Sequence, residues 1–254
     1  MTASKSTGTT GDVVAESRRL EHLPLLLSVV AGLTDVTTFV LLHGVFSAHI
    51  TGNLVVLAAD IAAGRAMSLT GLLAIPCFVI AAAVVTAVTT RSSRAATSWA
   101  GPLLLVQAGL LTAAAAVGIG FTVSARPDSG IGVLTGLLAV AAMAVQNALL
   151  HVVFAHSPTT AVMTGNVVGA TVAGVRVLVR RASPVPPAAD PDREALRRTW
   201  PLIVGFLAGC LVGGGTCYAV ADWAAGLPMV AALLTAALYV GRRASGPGLT
   251  NSEG

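Results

Sequence analysis

Apolar stretches that approach or exceed 18 residues recur along this chain of 254, and nothing else narrows its choice of fold so far. A run of that length with few charges is long enough to cross the hydrocarbon core of a bilayer as a helix. Composition points the same way. The chain is 55% hydrophobic and only 10% charged, where a soluble domain carries about 25% charged residues, and its mean hydropathy is +0.83. The expected class is all-α, a polytopic membrane helical bundle.

The hydrophobic segments fall at about 23–42, 54–63, 69–90, 102–123, 131–154, 161–179, 200–220 and 223–240. Residues 1–22 are polar, end in SRRLEH and lack an apolar core of their own, so we expect a cytoplasmic tail rather than a signal peptide. The connection 180–199, RRASPVPPAADPDREALRR from Arg180 on, is charged and rich in proline, and is expected to be a solvent-exposed linker. The tail 242–254 is expected to be disordered. Of the 15 Lys and Arg residues, all but two fall on the cytoplasmic side when both termini are placed inside, with eight crossings or with six. The positive-inside bias therefore fixes the termini and is silent on the number of crossings. We expect eight hydrophobic helices, of which the two bearing a Thr-Gly-Asn triplet are short, broken or re-entrant.

Those triplets stand in HITGNLVVLAAD at 49–60 and VMTGNVVGATVA at 162–173. LLHGVFSAH at 41–49 also resembles LLHVVFAH at 149–156, each followed by a triplet and an apolar run. Two internal repeats are expected, 23–123 and 131–241, a common building plan of transporters. Eight crossings would make the repeats parallel; six, with both triplets re-entrant, would make them inverted.

Thr51, Gly52 and Asn53, with Thr164, Gly165 and Asn166, combine helix-capping side chains with a glycine that permits close approach. At a helix N-terminus they could receive a polar or anionic group of a solute, or gate its path; alternatively they cap the helix and no more. Asp35 lies within the first span, where a carboxylate costs at least ~2.5 kcal/mol on insertion scales. It is expected to face the bundle interior as a proton relay or substrate contact, or else to be held by Arg176 or by neighbouring threonines. Gln146 and Asn147 within the fifth span are candidates for hydrogen bonding a solute or for holding helices together.

His43, His49, His151 and His156 flank the triplets, but their spacing without nearby carboxylates or thiolates is a poor metal signature, and they read as interfacial loop residues. Cys77, Cys210 and Cys217 read as small apolar core residues. Gly205, Gly209 and Gly213 share one helix face and suit close helix packing. No metal, cofactor or catalytic grouping is expected, and the net charge of +4 lies in connections rather than in a nucleic-acid patch.

At Gly32, Asp35 and Phe39, at Val45, Phe46 and Thr51 to Leu54, at Gln146–Asn147, and along Thr159 to Asn166, the chain resembles the YoaK-like family of bacterial multi-pass membrane proteins of unknown function. The resemblance covers about 23–241 and implies a membrane location and this fold without naming a substrate. The chain departs from it in carrying Leu150-His151 where a basic pair is expected, and in its long linker. The expected function is a bacterial plasma-membrane permease or channel for a small polar or anionic solute, proton-coupled through Asp35, with the solute and membrane lipids as partners. Assembly as a homo-oligomer is compatible with the sequence. The alternatives are an intramembrane enzyme using His or Asp residues and a non-catalytic scaffold.

Overall fold

In lipid every backbone polar group must find a partner within the protein, which confines spanning segments of this kind to helices. The computed structural model describes residues 22–153, 163–180 and 190–244. Its α-helices are α1 Leu23–Leu41, α2 Gly52–Ala62, α3 Leu69–Arg91, α4 Ala100–Phe121, α5 Gly130–Val153, α6 Met163–Arg180, α7 Pro191–Val220 and α8 Gly226–Ala244, with no strand among the described residues. Local chemistry sets several boundaries. Pro24 occupies the first turn of α1. Ser68 caps α3 by accepting from the Gly71 N–H. Thr122, left-handed at φ 49°, ends α4.

Among the described residues five stretches are long and apolar enough to cross a membrane: Leu23–Leu41, Leu69–Arg91, Ala96–Phe121, Gly130–Val153 and Pro191–Gly241. The last has 51 residues and is broken at Ala221–Ala225, so α7 and α8 are its two legs. The triplet-bearing α2 and α6 are not among the five. With 11 residues, α2 reaches about 16 Å at 1.5 Å per residue, half of a hydrocarbon core of about 30 Å. Large apolar side chains lie bare along the outer helices, among them Val79, Ile80 and Val84 on α3 and Leu207 and Leu211 on α7. Water would penalise such a surface and lipid does not.

The packing fixes which helix ends meet. At the end of the bundle where α1 finishes, the far face, Leu42 clusters with Val45 and Val123. Gly136 in α5 lies against Leu42 and against Thr70 at the start of α3. Asp222, between α7 and α8, accepts from the Ser124 N–H at 2.9 Å and its hydroxyl at 2.6 Å. At the near face Gly101, starting α4, faces Tyr239, ending α8, and Gln146 late in α5 donates to the Leu27 carbonyl early in α1 at 3.0 Å. So α1, α4 and α7 run from near to far, and α3, α5 and α8 return. Both ends of the connection 42–68 lie at the far face, so the segment that carries α2 enters and leaves there. The other triplet helix, α6, ends at the near face, where Arg176 and Arg180 pair with Asp192 and Asp190 at the start of α7.

The buried core lies where α1, α4, α5 and α8 meet, around Leu27, Leu104, Met143 and Ala236. Along the flank α7 packs on α1 through Gly205, Gly209 and Gly213, which face Leu25, Val29 and Val36 in turn. This is the packing role expected from their spacing.

The connection 180–199 departs from the expected linker over part of its length. Asp190 accepts from the Asp192 and Arg193 N–H groups, Pro191 occupies the first turn, and Glu194 pairs with Arg198, so α7 starts nine residues before Trp200. Residues 1–21, 181–189 and 245–254 lie outside the described residues, while 242–244, expected in the disordered tail, continue α8.

Candidate functional site

The chain doubles back after α1. His43 and Gly44 have φ of 51° and 104°, the second a conformation that glycine adopts without strain, and the Gly44 N–H donates to the Phe39 carbonyl. Residues 45–49 then run back along α1 without helical structure. Phe46 lies against Phe39 with the rings tilted and their centroids 4.7 Å apart. Ser47 and Ala48 lie against Asp35, and His49 reaches Phe206 of α7, 5.2 Å between centroids. The carbonyl of Phe206 faces Gly32, midway along α1. The loop has thus reached the middle of the bundle, and α2 starts there.

Non-helical backbone at that depth needs internal partners, and two polar side chains provide them. Asp35 Oδ1 accepts from the Ser47 N–H at 2.8 Å, the Ala48 N–H at 2.6 Å and the Ser47 hydroxyl at 3.2 Å. Oδ2 accepts from the His49 N–H at 3.3 Å and meets His49 Nδ1 at 2.5 Å. Asn53 takes both polar groups of one residue: its Oδ1 accepts from the Phe46 N–H and its Nδ2 donates to the Phe46 carbonyl, each at 2.8 Å. Asp35 is 3% exposed and Asn53 2%. The carboxylate that is costly in lipid anchors a loop whose own N–H groups would otherwise cost as much.

The expected capping role of the first triplet is corrected. No side chain caps α2; its first N–H groups bond to the carbonyls of His49, Ile50 and Thr51 in tight turns. Asn53 reaches back seven residues instead. Gly52 is required by close approach, since a Cβ there would stand 2.8 Å from the Phe46 ring. Thr51 is exposed. The second triplet has the same exposed threonine and buried asparagine, but its Gly165 is exposed where Gly52 is half-buried; Asn166 Nδ2 lies 3.8 Å from Met163 Sδ. The residues that precede it, 154–162, lie outside the described ones.

Gln146 and Asn147 do not join Asp35. Gln146 accepts from Gln107 at 2.6 Å and donates to Leu27, holding α4, α5 and α1 together near the other face. Asn147 donates to the Met143 carbonyl of its own helix. A cavity of about 30 Å³ does lie among α1, α4, α5 and α8, but it opens in the far half, lined by Thr34, Thr37, Thr38, Thr135, Leu111 and Ala139 among others. None of the predicted site residues lines it. Nor does Arg176 hold Asp35, since it pairs with Asp192.

The family model described as a protein of unknown function, DUF1275, matches residues 23–239, from the first residue of α1 into α8. The chain belongs to the DUF1275 family. No curated protein and no solved structure matches it. Membership in an uncharacterised family accords with the resemblance drawn from the sequence.

In this DUF1275 chain the residue that sequence reasoning misplaced is His49, read there as an interfacial loop residue. It sits on the connection outside both helices, at the middle of the bundle, where its Nδ1 meets Asp35 Oδ2 and its side chain is about one third exposed, 32%. The signal that could have found it is the His-Gly pair at 43–44, which turns the chain back so that residue 49 returns to residue 35.

Proposed function

We propose that the protein is a permease or channel for a small polar solute in a bacterial plasma membrane, built from two inverted repeats. The observation that carries this is the re-entrant segment: a loop and half-length helix that leave from and return to one face, with irregular backbone held at the middle of the bundle. Such backbone is a recurrent device of membrane transport proteins, where broken helices meet the solute near the midplane.

The pattern of packing supports the repeats. Exchanging α1–α4 with α5–α8 turns the pair α1·α7 into α5·α3, α4·α5 into α8·α1, and α2·α3 into α6·α7, while α4·α8 and α1·α5 map onto themselves; all of these pairs pack. Corresponding thiols do the same: Cys210 on α7 donates to the Gly32 carbonyl on α1, and Cys77 on α3 to the Leu137 carbonyl on α5, both at 3.6 Å. Because α1 and α5 run in opposite directions, the repeats are inverted. Arg65 and Arg126 lie on far-face connections and every other Lys and Arg belongs to a segment joined to the near face, so the near face is cytoplasmic.

The route runs through the central four helices, with the threonine-lined cavity as its far part. Asp35, Gln146 and Asn53 are not its lining: their bonds are internal, and they hold the frame in which Thr51 stays exposed. Those same satisfied bonds support a second reading, a membrane scaffold that moves nothing.

Uptake into proteoliposomes separates the two. We expect flux for one class from a panel of small neutral and small anionic solutes, and at least a tenfold loss in Ala115→Leu, which fills the cavity wall, with its thermal unfolding in detergent retained as evidence of folding. An absence of flux for every class would leave the scaffold.

A further inference from the structure

We propose that His49 is a proton-binding site at mid-depth in the bundle, with Nε2 as the atom that takes up the proton and Asp35 as its positioning partner. The inference deepens the permease reading by naming the group that couples flux to protons, and replaces Asp35 in that part.

The geometry distinguishes the two members of the pair. Both oxygens of Asp35 already accept from the loop: three backbone N–H groups, a hydroxyl and the His49 ring. A hydrogen on either oxygen would displace one of these donors and release irregular backbone inside the bundle. His49 has one ring nitrogen engaged and one free. With Nδ1–H donating to Asp35 Oδ2, the neutral ring carries its lone pair on Nε2, the tautomer fixed by the bond that the other nitrogen makes. Among the described residues Nε2 has no hydrogen-bond partner, and the side chain is 32% exposed while Asp35 is 4%. The ring is steered by two aromatic edges, Phe46 at 6.4 Å and Phe206 at 5.2 Å between centroids.

Among the described residues, what faces the pair is otherwise uncharged. From α1 come Asp35 itself and the Thr38 hydroxyl, from the loop the Ser47 hydroxyl, and from α7 Phe206 and Cys210, whose thiol donates to the Gly32 carbonyl. No other ion pair among the described residues involves either group. A proton arriving from hydronium, or from the acidic group of a solute, leaves its O–H bond and bonds to Nε2, and no bond within the protein is broken. The imidazolium charge is then opposed across the Nδ1–Oδ2 contact. The loop keeps all its bonds in both states, so the site can load and unload without unfolding.

The test is histidine titration in the full chain, by NMR of ring-¹⁵N-labelled protein in nanodiscs, with His49 assigned by loss of its signal in His49→Gln. We expect a neutral form protonated on Nδ1, and at least a tenfold weaker proton affinity in Asp35→Asn. A neutral form protonated on Nε2 would overturn the proposal without recourse to any variant, as would an affinity unchanged in Asp35→Asn. In proteoliposomes the wild-type flux should change tenfold across the His49 titration, and the His49→Gln flux should not follow pH. Wild-type flux that ignores the titration would overturn the coupling. Absent flux would count against the permease, while the NMR titration still decides the site.

Discussion

Asn53 shows why an amide, and neither a carboxylate nor a hydroxyl, stands third in the triplet. It must accept from one backbone group and donate to the other, both on Phe46. Asn53→Ala leaves those two groups without partners in a loop packed inside the bundle. An unsatisfied buried polar group costs about 1–3 kcal/mol, so we expect a loss of roughly 2–4 kcal/mol and a lower midpoint of unfolding in detergent, with faster hydrogen exchange at Phe46. Asn53→Asp should do as badly, because it keeps the acceptor but sets a negative oxygen against the Phe46 carbonyl. Asn53→Asp stability equal to wild type would refute the two-way contact. How much of this was legible in the sequence varies by residue. A buried carboxylate at Asp35 in need of a partner was legible; the partner was not, because Ser47 to His49 lie 12 to 14 positions away and reach it only through the reversal at His43–Gly44.

At the scale of elements, glycine spacing was the most readable signal, and it separates glycines that matter from those that do not. A Cβ on Gly209 would fall 2.5 Å from the Val29 carbonyl oxygen and 2.9 Å from the Leu33 nitrogen, backbone atoms that cannot move aside. Gly209→Ala should therefore cost about 1–3 kcal/mol through overpacking, and Gly209→Val should separate α1 from α7. Gly169 on α6 meets nothing within 4 Å, and Gly169→Ala should be neutral or stabilise the helix by up to about 1 kcal/mol. Paired melting curves of the two alanine variants check both signs, and equal midpoints would contradict the close approach. The start of α7 was misread because its charges suggest a linker, whereas Asp190-Pro191 is a helix-start signal, with an ion pair one turn on from Glu194 to Arg198. The triplets looked like caps because their residue types cap helices. Only tertiary structure reveals that Asn53 points away from its own helix.

For the whole molecule, the sequence makes the helical bundle plain and hides its topology, for a definite electrostatic reason. Moving from eight crossings to six carries Arg91 and Arg94 inward and Arg65 and Arg126 outward, an exchange of two for two that leaves the positive-inside count unchanged. Length is no more decisive, since α6 with its 18 residues is long enough to cross although it is not among the stretches apolar enough to do so. Contacts between helix ends break the tie, because Leu42 and Thr70 both touch Gly136 and so place the end of α1 and the start of α3 at one face. With the near face inside, single cysteines at Gly64 and Ser93, in a background with Cys77, Cys210 and Cys217 replaced by alanine, should react from opposite sides. A membrane-impermeant maleimide applied outside intact cells should label Gly64→Cys and spare Ser93→Cys until the membrane is opened. Eight crossings require the reverse, with Ser93→Cys labelled from outside. The reverse result would turn the repeats parallel and remove the half-helix on which the transport proposal stands.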